Sequence, residues 1–174
     1  EKRIVGGAPA LLWGEPAEGI YLFIHGQDGY KEEAEPFAAL AAARGRQVLS
    51  VDLPGHGERK NKGETLLPWM AVPELQAVME YAARGWKRVA VRANSIGAWL
   101  SMLAFGRARL EKCLFVSPVL DMERLIHNMM GWAGVTEAEL AERREIETDF
   151  GQTLSWEYLQ YARARAIGTW EAPT

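Results

Sequence analysis

A serine between positions 88 and 102 is the residue best placed to do chemistry. A short apolar run ends there in the pentapeptide Ala-Asn-Ser-Ile-Gly at positions 93–97, and apolar residues then resume with helical spacing. This pattern predicts a strand, a tight turn and a helix, with small residues where strand and helix approach each other closely. The arrangement is typical of a strained turn that exposes a nucleophilic hydroxyl, here that of Ser95. An ordinary helix N-cap serine is the alternative.

A serine hydroxyl attacks well only when a base removes its proton and when fixed donors hold the oxyanion that forms. The amide of Ile96, at the start of the predicted helix, is placed to donate to such an oxyanion. A second donor is predicted in the loop after the apolar run 19–24, where His25-Gly26 makes a tight turn. That turn points the following amide, that of Gln27, back toward Ser95.

Strands and helices alternate from residue 19 to residue 117. Apolar runs predict strands at 19–24, 47–51, 88–93 and 113–116. The segments 35–44 and 73–84 predict helices, because each has proline in its first turn and glycine just past its end. Together with an N-terminal hairpin, they predict an α/β fold, a doubly wound and mostly parallel sheet of about six strands. Ligands of such sheets bind beyond the carboxyl ends of the strands. The residues predicted at those ends include His25, Asp52, Ser95 and Ser117.

From Asp121 onward the sequence predicts helices only. The segments are 122–130, a helix opened by the capping-box sequence that starts at Thr136, and 155–167. We therefore expect an N-terminal core portion at 1–120, a helical cap over the site at 121–169, and a lead-in to a further core strand at 170–174. A purely structural helical layer is the alternative for the cap.

Composition narrows the classes of function. The chain has 174 residues and a net charge of −3 without a large block of one sign, which gives no support for nucleic-acid binding. No apolar run approaches the roughly 20 residues of a membrane span, so no span is expected. The single cysteine, Cys113, lies in an apolar run and has no partner for an intrachain disulfide. We infer a reducing, cytoplasmic location.

Taken in order, these segments resemble the α/β-hydrolase superfamily. The resemblance rests on a strand followed by His25-Gly26, a strand followed by the Asp-Leu-Pro-Gly-His-Gly sequence at 52–57, the turn at Ser95, and a strand followed by Ser117-Pro118. Within the superfamily the chain looks most like small bacterial esterases, monoacylglycerol lipases and serine aminopeptidase-like enzymes. The resemblance implies a serine hydrolase of carboxylic esters or related acyl compounds. It implies an acyl-enzyme on Ser95, a small-molecule acyl substrate, and no metal or organic cofactor.

The chain departs from the family pattern in its proton-transfer residues. The family order along the chain is serine, acid, histidine. Here His25 and His56 match structural turn positions of the family, and His127 lies on a helix with packed neighbours. Asp121 is a possible acid, although N-capping of the next helix explains it equally well.

The catalytic histidine is therefore expected beyond Thr174, in C-terminal strands that this sequence lacks. The 174-residue chain alone is predicted to be nearly inactive. Either the remainder of the protein or a second subunit is expected to cover the edge of the Cys113 strand. The alternative to a hydrolase is a catalytically inactive fragment or a non-enzymatic binding module of the same fold.

Overall fold

The computed structural model describes all 174 residues of the chain. It divides into two compact units. The first unit contains residues 1–118 and 169–174, and the second contains residues 119–168.

The first unit is built on a six-stranded sheet. Its strands are β1 (Lys2–Val5), β2 (Ala8–Trp13), β3 (Gly19–Ile24), β4 (Arg46–Val51), β5 (Arg88–Asn94) and β6 (Cys113–Val116). They lie in the order β1-β2-β4-β3-β5-β6. The hairpin β1–β2 pairs in antiparallel fashion, β2 is antiparallel to β4, and the remaining neighbours are parallel. The predicted N-terminal hairpin and mostly parallel sheet are therefore confirmed.

Helices cover both faces of this sheet. Every residue of the central strand β3 is buried, as expected for a parallel strand with helices on both sides. Tyr21 and Phe23 point to the face covered by α1 (Glu35–Ala42). Residues 20, 22 and 24 alternate to the opposite face, where α2 (Pro68–Gly85) and α3 (Ile96–Phe105) pack against each other.

The helix α2 begins five residues earlier than the sequence predicts. The predicted start was Pro73, but the structure places Pro68 in the first turn and Pro73 inside the helix. Both prolines suit the start of a helix, and the sequence pattern does not distinguish them. Inside α2, Pro73 has no N–H to donate to the carbonyl of Trp69, so one helical hydrogen bond is missing there.

Residues 169–174 lie beside the edge strand β6. The backbone N–H of Cys113 donates to the carbonyl of Pro173 at 2.6 Å, and the rings of Phe115 and Trp170 are 5.7 Å apart. Burial raises the pKa of the Cys113 thiol to about 11, and the nearby Trp170 side chain opposes this shift only in part. The thiol is therefore protonated at neutral pH and packs as a small apolar group.

The second unit contains three helices and a small two-stranded sheet. Asp121 caps the first helix through a bond from the Arg124 N–H at 2.9 Å. Thr136 and Glu139 form the predicted capping box. The two strands were not predicted, because three residues are too few for an alternating pattern to show. The elements are α4 (Met122–Ala133), α5 (Glu137–Arg143), β7 (Glu145–Glu147), β8 (Thr153–Ser155) and α6 (Trp156–Arg163).

One arginine links all three helices of the second unit. Arg163 on α6 donates to Glu123 on α4 at 2.7 Å and to Glu137 on α5 at 2.9 and 3.1 Å. Hydrogen bonds from Arg163 and His127 lower the pKa of the Glu137 carboxyl. None of the six helices in the structure combines the length and the apolar character needed to cross a membrane.

Candidate active site

Ser95 lies at the joint between β5 and α3 in a backbone conformation that is rare for a residue with a side chain. Its φ is 49° and its ψ is −120°. A positive φ at a non-glycine residue costs of order 1–3 kcal/mol and persists only where the surroundings impose it. Here the Ser95 N–H donates to the carbonyl of Val116 at 2.9 Å, and the Ser95 carbonyl accepts from the Ala98 N–H at 3.1 Å. The joint is thus held from β6 on one side and from α3 on the other.

The turn after β3 and the joint at Ser95 interlock through two glycines. A Cβ built on Gly26 would lie 3.3 Å from the Cβ of Ser95. A Cβ built on Gly97 would lie 2.2 Å from the carbonyl oxygen of His25, which leaves no room for a side chain. The structure therefore brings the neighbours of Gln27 and Ile96 into direct contact with the serine turn.

Strained residues cluster at the carboxyl edge of the sheet. Five non-glycine residues have a positive φ, and three of them follow the ends of β3, β5 and β6: Asp28 at 60°, Ser95 at 49° and Ser117 at 46°. Such conformations concentrate at functional sites, because the fold maintains them against their cost. The carboxyl edge is also where the sequence places the candidate site.

The turn after β3 carries the predicted second donor. The Gly29 N–H donates to the carbonyl of Gly26 at 3.2 Å and closes the turn around Gln27 and Asp28. Of the two central residues of this turn only Asp28, the third residue, has a positive φ, as in a type II turn. Gln27 itself is exposed to solvent.

Both histidines near this edge are committed to backbone hydrogen bonds. His25 Nδ1 lies 2.8 Å from the carbonyl of Gly26, and its Nε2 accepts from the Leu53 N–H at 3.0 Å. His56 Nδ1 lies 2.9 Å from the carbonyl of Pro54, and its Nε2 accepts from the Asp28 N–H at 3.1 Å. Since each Nε2 lone pair already accepts an amide proton, neither ring is positioned to take a proton from a serine.

The stability of the fold is expected to fall between pH 6.5 and 4 because of His25. Burial lowers the pKa of His25 to about 4. In the unfolded chain this ring binds a proton below pH about 6.5. In the folded chain it binds a proton only below pH about 4. Between pH 6.5 and 5 this linkage costs about 1.5 kcal/mol. Urea unfolding at pH 6.5 and pH 5 measures it.

The matched control for this pH effect is His25→Gln, which keeps an acceptor near the Leu53 N–H but does not titrate. The variant is expected to start from lower stability and to lose less of it on acidification. An equal loss in wild type and variant would assign the acid sensitivity to other groups.

The two remaining sequence candidates lie in the second unit. His127 Nε2 is 3.3 Å from Glu137, and Asp121 accepts the capping bond from the Arg124 N–H. Asp121 therefore has the structural role that the sequence analysis left open, and its role as a catalytic acid stays a prediction. No group of three or more His, Cys, Asp or Glu side chains in the chain is arranged to hold a metal ion.

Comparison with known proteins decides the family. A model of the alpha/beta hydrolase family matches residues 21–172. The chain belongs to the alpha/beta hydrolase family. The match includes the turn after β3, the Ser95 joint and the helices of the second unit. A search of curated proteins found no match.

Several solved structures share the fold of this chain. Est1E from Butyrivibrio proteoclasticus, with ferulic acid bound, has a TM-score of 0.74 at 21% identity, over 95% of this chain and 71% of that one. TT1662 from Thermus thermophilus has a TM-score of 0.56 at 25% identity, over 66% and 54%. A cold-adapted esterase from an Arctic intertidal metagenomic library has a TM-score of 0.52 at 24% identity, over 66% and 58%. The chain thus spans less than two thirds of the length of two of these three structures.

One buried charge cluster of this alpha/beta hydrolase family member is marked by no local sequence pattern. The Asp52 carboxylate after β4 accepts from the Lys31 N–H at 2.8 Å, from Lys31 Nζ at 2.7 Å and from the Glu58 N–H at 2.9 Å. Lys31 is 1% exposed and Asp52 is fully buried. Nothing in the local sequence pattern marks Lys31, 21 residues away, as the partner of Asp52.

Proposed function

We propose that this chain is part of a serine hydrolase that cleaves carboxylic esters or related acyl compounds. The observation that carries the proposal is the backbone of Ser95, with φ 49° and ψ −120° between a buried parallel strand and a helix. An ordinary helix N-cap serine has extended backbone and bonds to the helix through its side chain. Ser95 has neither property, because its φ is positive and its side chain makes no capping bond. A nucleophilic role explains both departures.

The proposed reaction proceeds through an acyl-enzyme. Ser95 Oγ attacks the carbonyl carbon of the substrate while a base takes its proton, and the carbonyl oxygen becomes an oxyanion. The intermediate collapses, the bond to the leaving alcohol breaks, and the alcohol takes the proton back from the base. Water then attacks the acyl carbon while the same base takes a proton from it. The carboxylic acid is released, and the base returns the proton to Ser95 Oγ.

Two backbone amides are proposed to hold the oxyanion. The Ile96 amide opens α3, and amides in the first turn of a helix have no intrahelical acceptor. The Gln27 amide follows the glycine that packs against Ser95. Neither amide donates to another group of the protein. Removal of one such donor typically costs about 10²–10³ in rate.

The base is proposed to lie in sequence outside these 174 residues. Nε2 of both His25 and His56 accepts a backbone amide, and His127 contacts Glu137. Two solved structures of similar fold are longer than this chain, which covers 54% of TT1662 and 71% of Est1E. The catalytic acid is proposed to come from the same outside sequence. Asp121 is the alternative candidate within the chain.

The substrate class is supported by two of the similar structures. One is an esterase, and Est1E was solved with ferulic acid, a carboxylic acid, bound. Both fit a site that binds acyl groups.

The proposal is tested by labelling with a fluorophosphonate, which reacts with activated serines. The encoded full-length protein is expected to form one covalent adduct, located on Ser95 by peptide mass spectrometry. The 174-residue chain is expected to react at least about 10³-fold more slowly, because it lacks the base. The readout is the labelling rate of each form.

Two variants control the labelling experiment. Ser95→Ala is expected to abolish the adduct. Ser117→Ala removes another serine with positive φ at the same sheet edge and is expected to label like the wild type. A full-length protein that forms no adduct, or that still labels after Ser95→Ala, would refute the proposed nucleophile.

A further inference from the structure

Two histidines connect the turns that follow β3 and β4, because each ring accepts a hydrogen bond from a backbone amide of the other turn. His25, in the first turn, accepts from Leu53 N–H in the second, while His56, in the second turn, accepts from Asp28 N–H in the first. Their rings are 5.2 Å apart with an interplanar angle of 43°. Each turn therefore supplies an acceptor for an amide of the other.

The tautomer of His56 is fixed by the group that lies beside its Nδ1 nitrogen. Nδ1 lies 2.9 Å from the carbonyl oxygen of Pro54, which can only accept. Nδ1 must therefore carry the proton, and Nε2 presents its lone pair to the Asp28 N–H. This tautomer makes the ring an acceptor aimed at one peptide group of the neighbouring turn.

His56 is itself held rigidly. It is 7% exposed, its N–H donates to the Leu53 carbonyl at 3.0 Å, and its carbonyl accepts from the Arg59 N–H at 2.8 Å. A Cβ built on the next residue, Gly57, would lie 2.1 Å from Asp52 Oδ1. The buried carboxylate and the histidine backbone thus form one packed unit from which the ring projects.

The hydrogen bond from the Asp28 N–H to His56 affects the orientation of Gln27, the residue whose amide the proposed mechanism uses. The Asp28 N–H belongs to the same peptide group as the carbonyl of Gln27, so a bond to it fixes the orientation of that peptide. Asp28 has a φ of 60°, a conformation that needs support from its surroundings. The bond to His56 supplies such support one residue away from the proposed oxyanion donor.

We propose that His56 is a positioning residue that holds the turn carrying the Gln27 amide in its working orientation through the Asp28 peptide. The inference rests on the proposed function, because it assigns a catalytic purpose to a turn that the proposed oxyanion hole uses. His56 acts through the backbone and does not touch the substrate. Its role is distinct from that of the base.

The test compares His56→Asn with His56→Gln in the encoded full-length protein. The glutamine side chain carries an acceptor near the position of Nε2, whereas the asparagine side chain reaches only the position of Nδ1. With p-nitrophenyl acetate, His56→Asn is expected to lower kcat by about 10- to 100-fold with KM within about twofold, the scale of a misplaced catalytic group. His56→Gln is expected to stay within about threefold of wild type.

A second measurement follows the turn directly, by hydrogen exchange of the Asp28 amide. Exchange is expected to speed up at least about tenfold in His56→Asn and to stay slow in wild type and His56→Gln. Should His56→Asn fail to fold, His56→Phe keeps a ring without an acceptor and carries the same expectations. The proposal would be overturned if the variant without an acceptor kept the wild-type kcat, or if that variant and His56→Gln lost kcat equally. Unchanged hydrogen exchange of the Asp28 amide in the variant without an acceptor would also overturn it.

Failure of this inference is distinguishable from failure of the proposed function. A full-length wild type that neither hydrolyses the ester nor labels on Ser95 would refute the hydrolase and the catalytic purpose of the turn. A wild type that labels on Ser95, with equal kcat in all His56 variants, would refute only the positioning role.

Discussion

A Gly97→Ala variant is expected to lose about 3 kcal/mol or more of its free energy of unfolding, at or above the upper end of typical overpacking costs. The new Cβ would lie 2.2 Å from the carbonyl oxygen of His25 and 2.9 Å from that of Ile24. Both oxygens belong to the backbone at the end of β3, which is paired with β4 on one side and β5 on the other. A rotamer change cannot relieve a contact with backbone, so the helix α3 must move away from the sheet.

The matched control is Gly85→Ala in the same unit. A Cβ on this residue, the last of α2, meets no atom within 4 Å. Alanine is expected to be neutral or slightly stabilising there. Urea unfolding of both variants measures the difference. If the two variants unfold at the same urea concentration, the close approach of α3 to β3 is wrong.

The same substitution is expected to affect chemistry before it unfolds the protein. Moving α3 away from His25 separates the Ile96 amide from the turn that carries Gln27. Labelling of Ser95 should therefore slow in any folded Gly97→Ala protein, since misplacement by about 1 Å can cost about 100-fold in rate.

The local parts of this site are predictable from the sequence because each depends on neighbouring residues. The strand, turn and helix around Ser95 follow from an apolar run, small residues and helical spacing within fifteen positions. The capping box at Thr136 is likewise a four-residue pattern that the structure confirms. The parallel sheet follows from the alternation of strands and helices, because a parallel pair needs a crossover.

The contacts that fix the site are not predictable in the same way. The bond from Asp28 to His56 and the bond from Lys31 to Asp52 join residues 28 and 21 positions apart. Periodicity carries no information about which polar groups meet across two turns. The sequence pattern therefore indicates a structural turn at His56 but does not indicate which amide donates to its ring.

The buried carboxylate after β4 leads to the second large stability effect. Asp52→Ala is expected to cost about 3–5 kcal/mol, because removing one partner of a buried pair leaves the other charge uncompensated. Lys31 would keep Glu32 at 3.1 Å and Glu58 at 3.0 Å, but both carboxylates are partly exposed to solvent. The N–H groups of residues 31 and 58 would also lose their acceptor. Urea unfolding of wild type and Asp52→Ala measures the loss.

The ionisation of Lys31 sets the pH range of this effect. Burial alone would lower the pKa of Lys31, but hydrogen bonds to Asp52, Glu58 and Glu32 raise it above its ordinary value. A raised pKa of a basic group contributes stability that is complete below its unfolded value of about 10.4 and is lost only as the pH rises through the folded value. The contribution of the raised Lys31 pKa to wild-type stability is therefore expected to be the same at pH 7 and pH 9.

A double-variant cycle separates the ion pair from the amide bonds of Asp52. Lys31→Met removes the ammonium group but leaves the carboxylate with two N–H donors, so it is expected to cost less than Asp52→Ala. Because the ammonium is not left unpaired in the double variant, the double variant should be more stable than the sum of the single losses predicts. The expected coupling is about 1–3 kcal/mol. Additive losses would show that Asp52 acts through the amides alone, and a wild-type urea midpoint for Asp52→Ala would show that the carboxylate does not hold the two turns together.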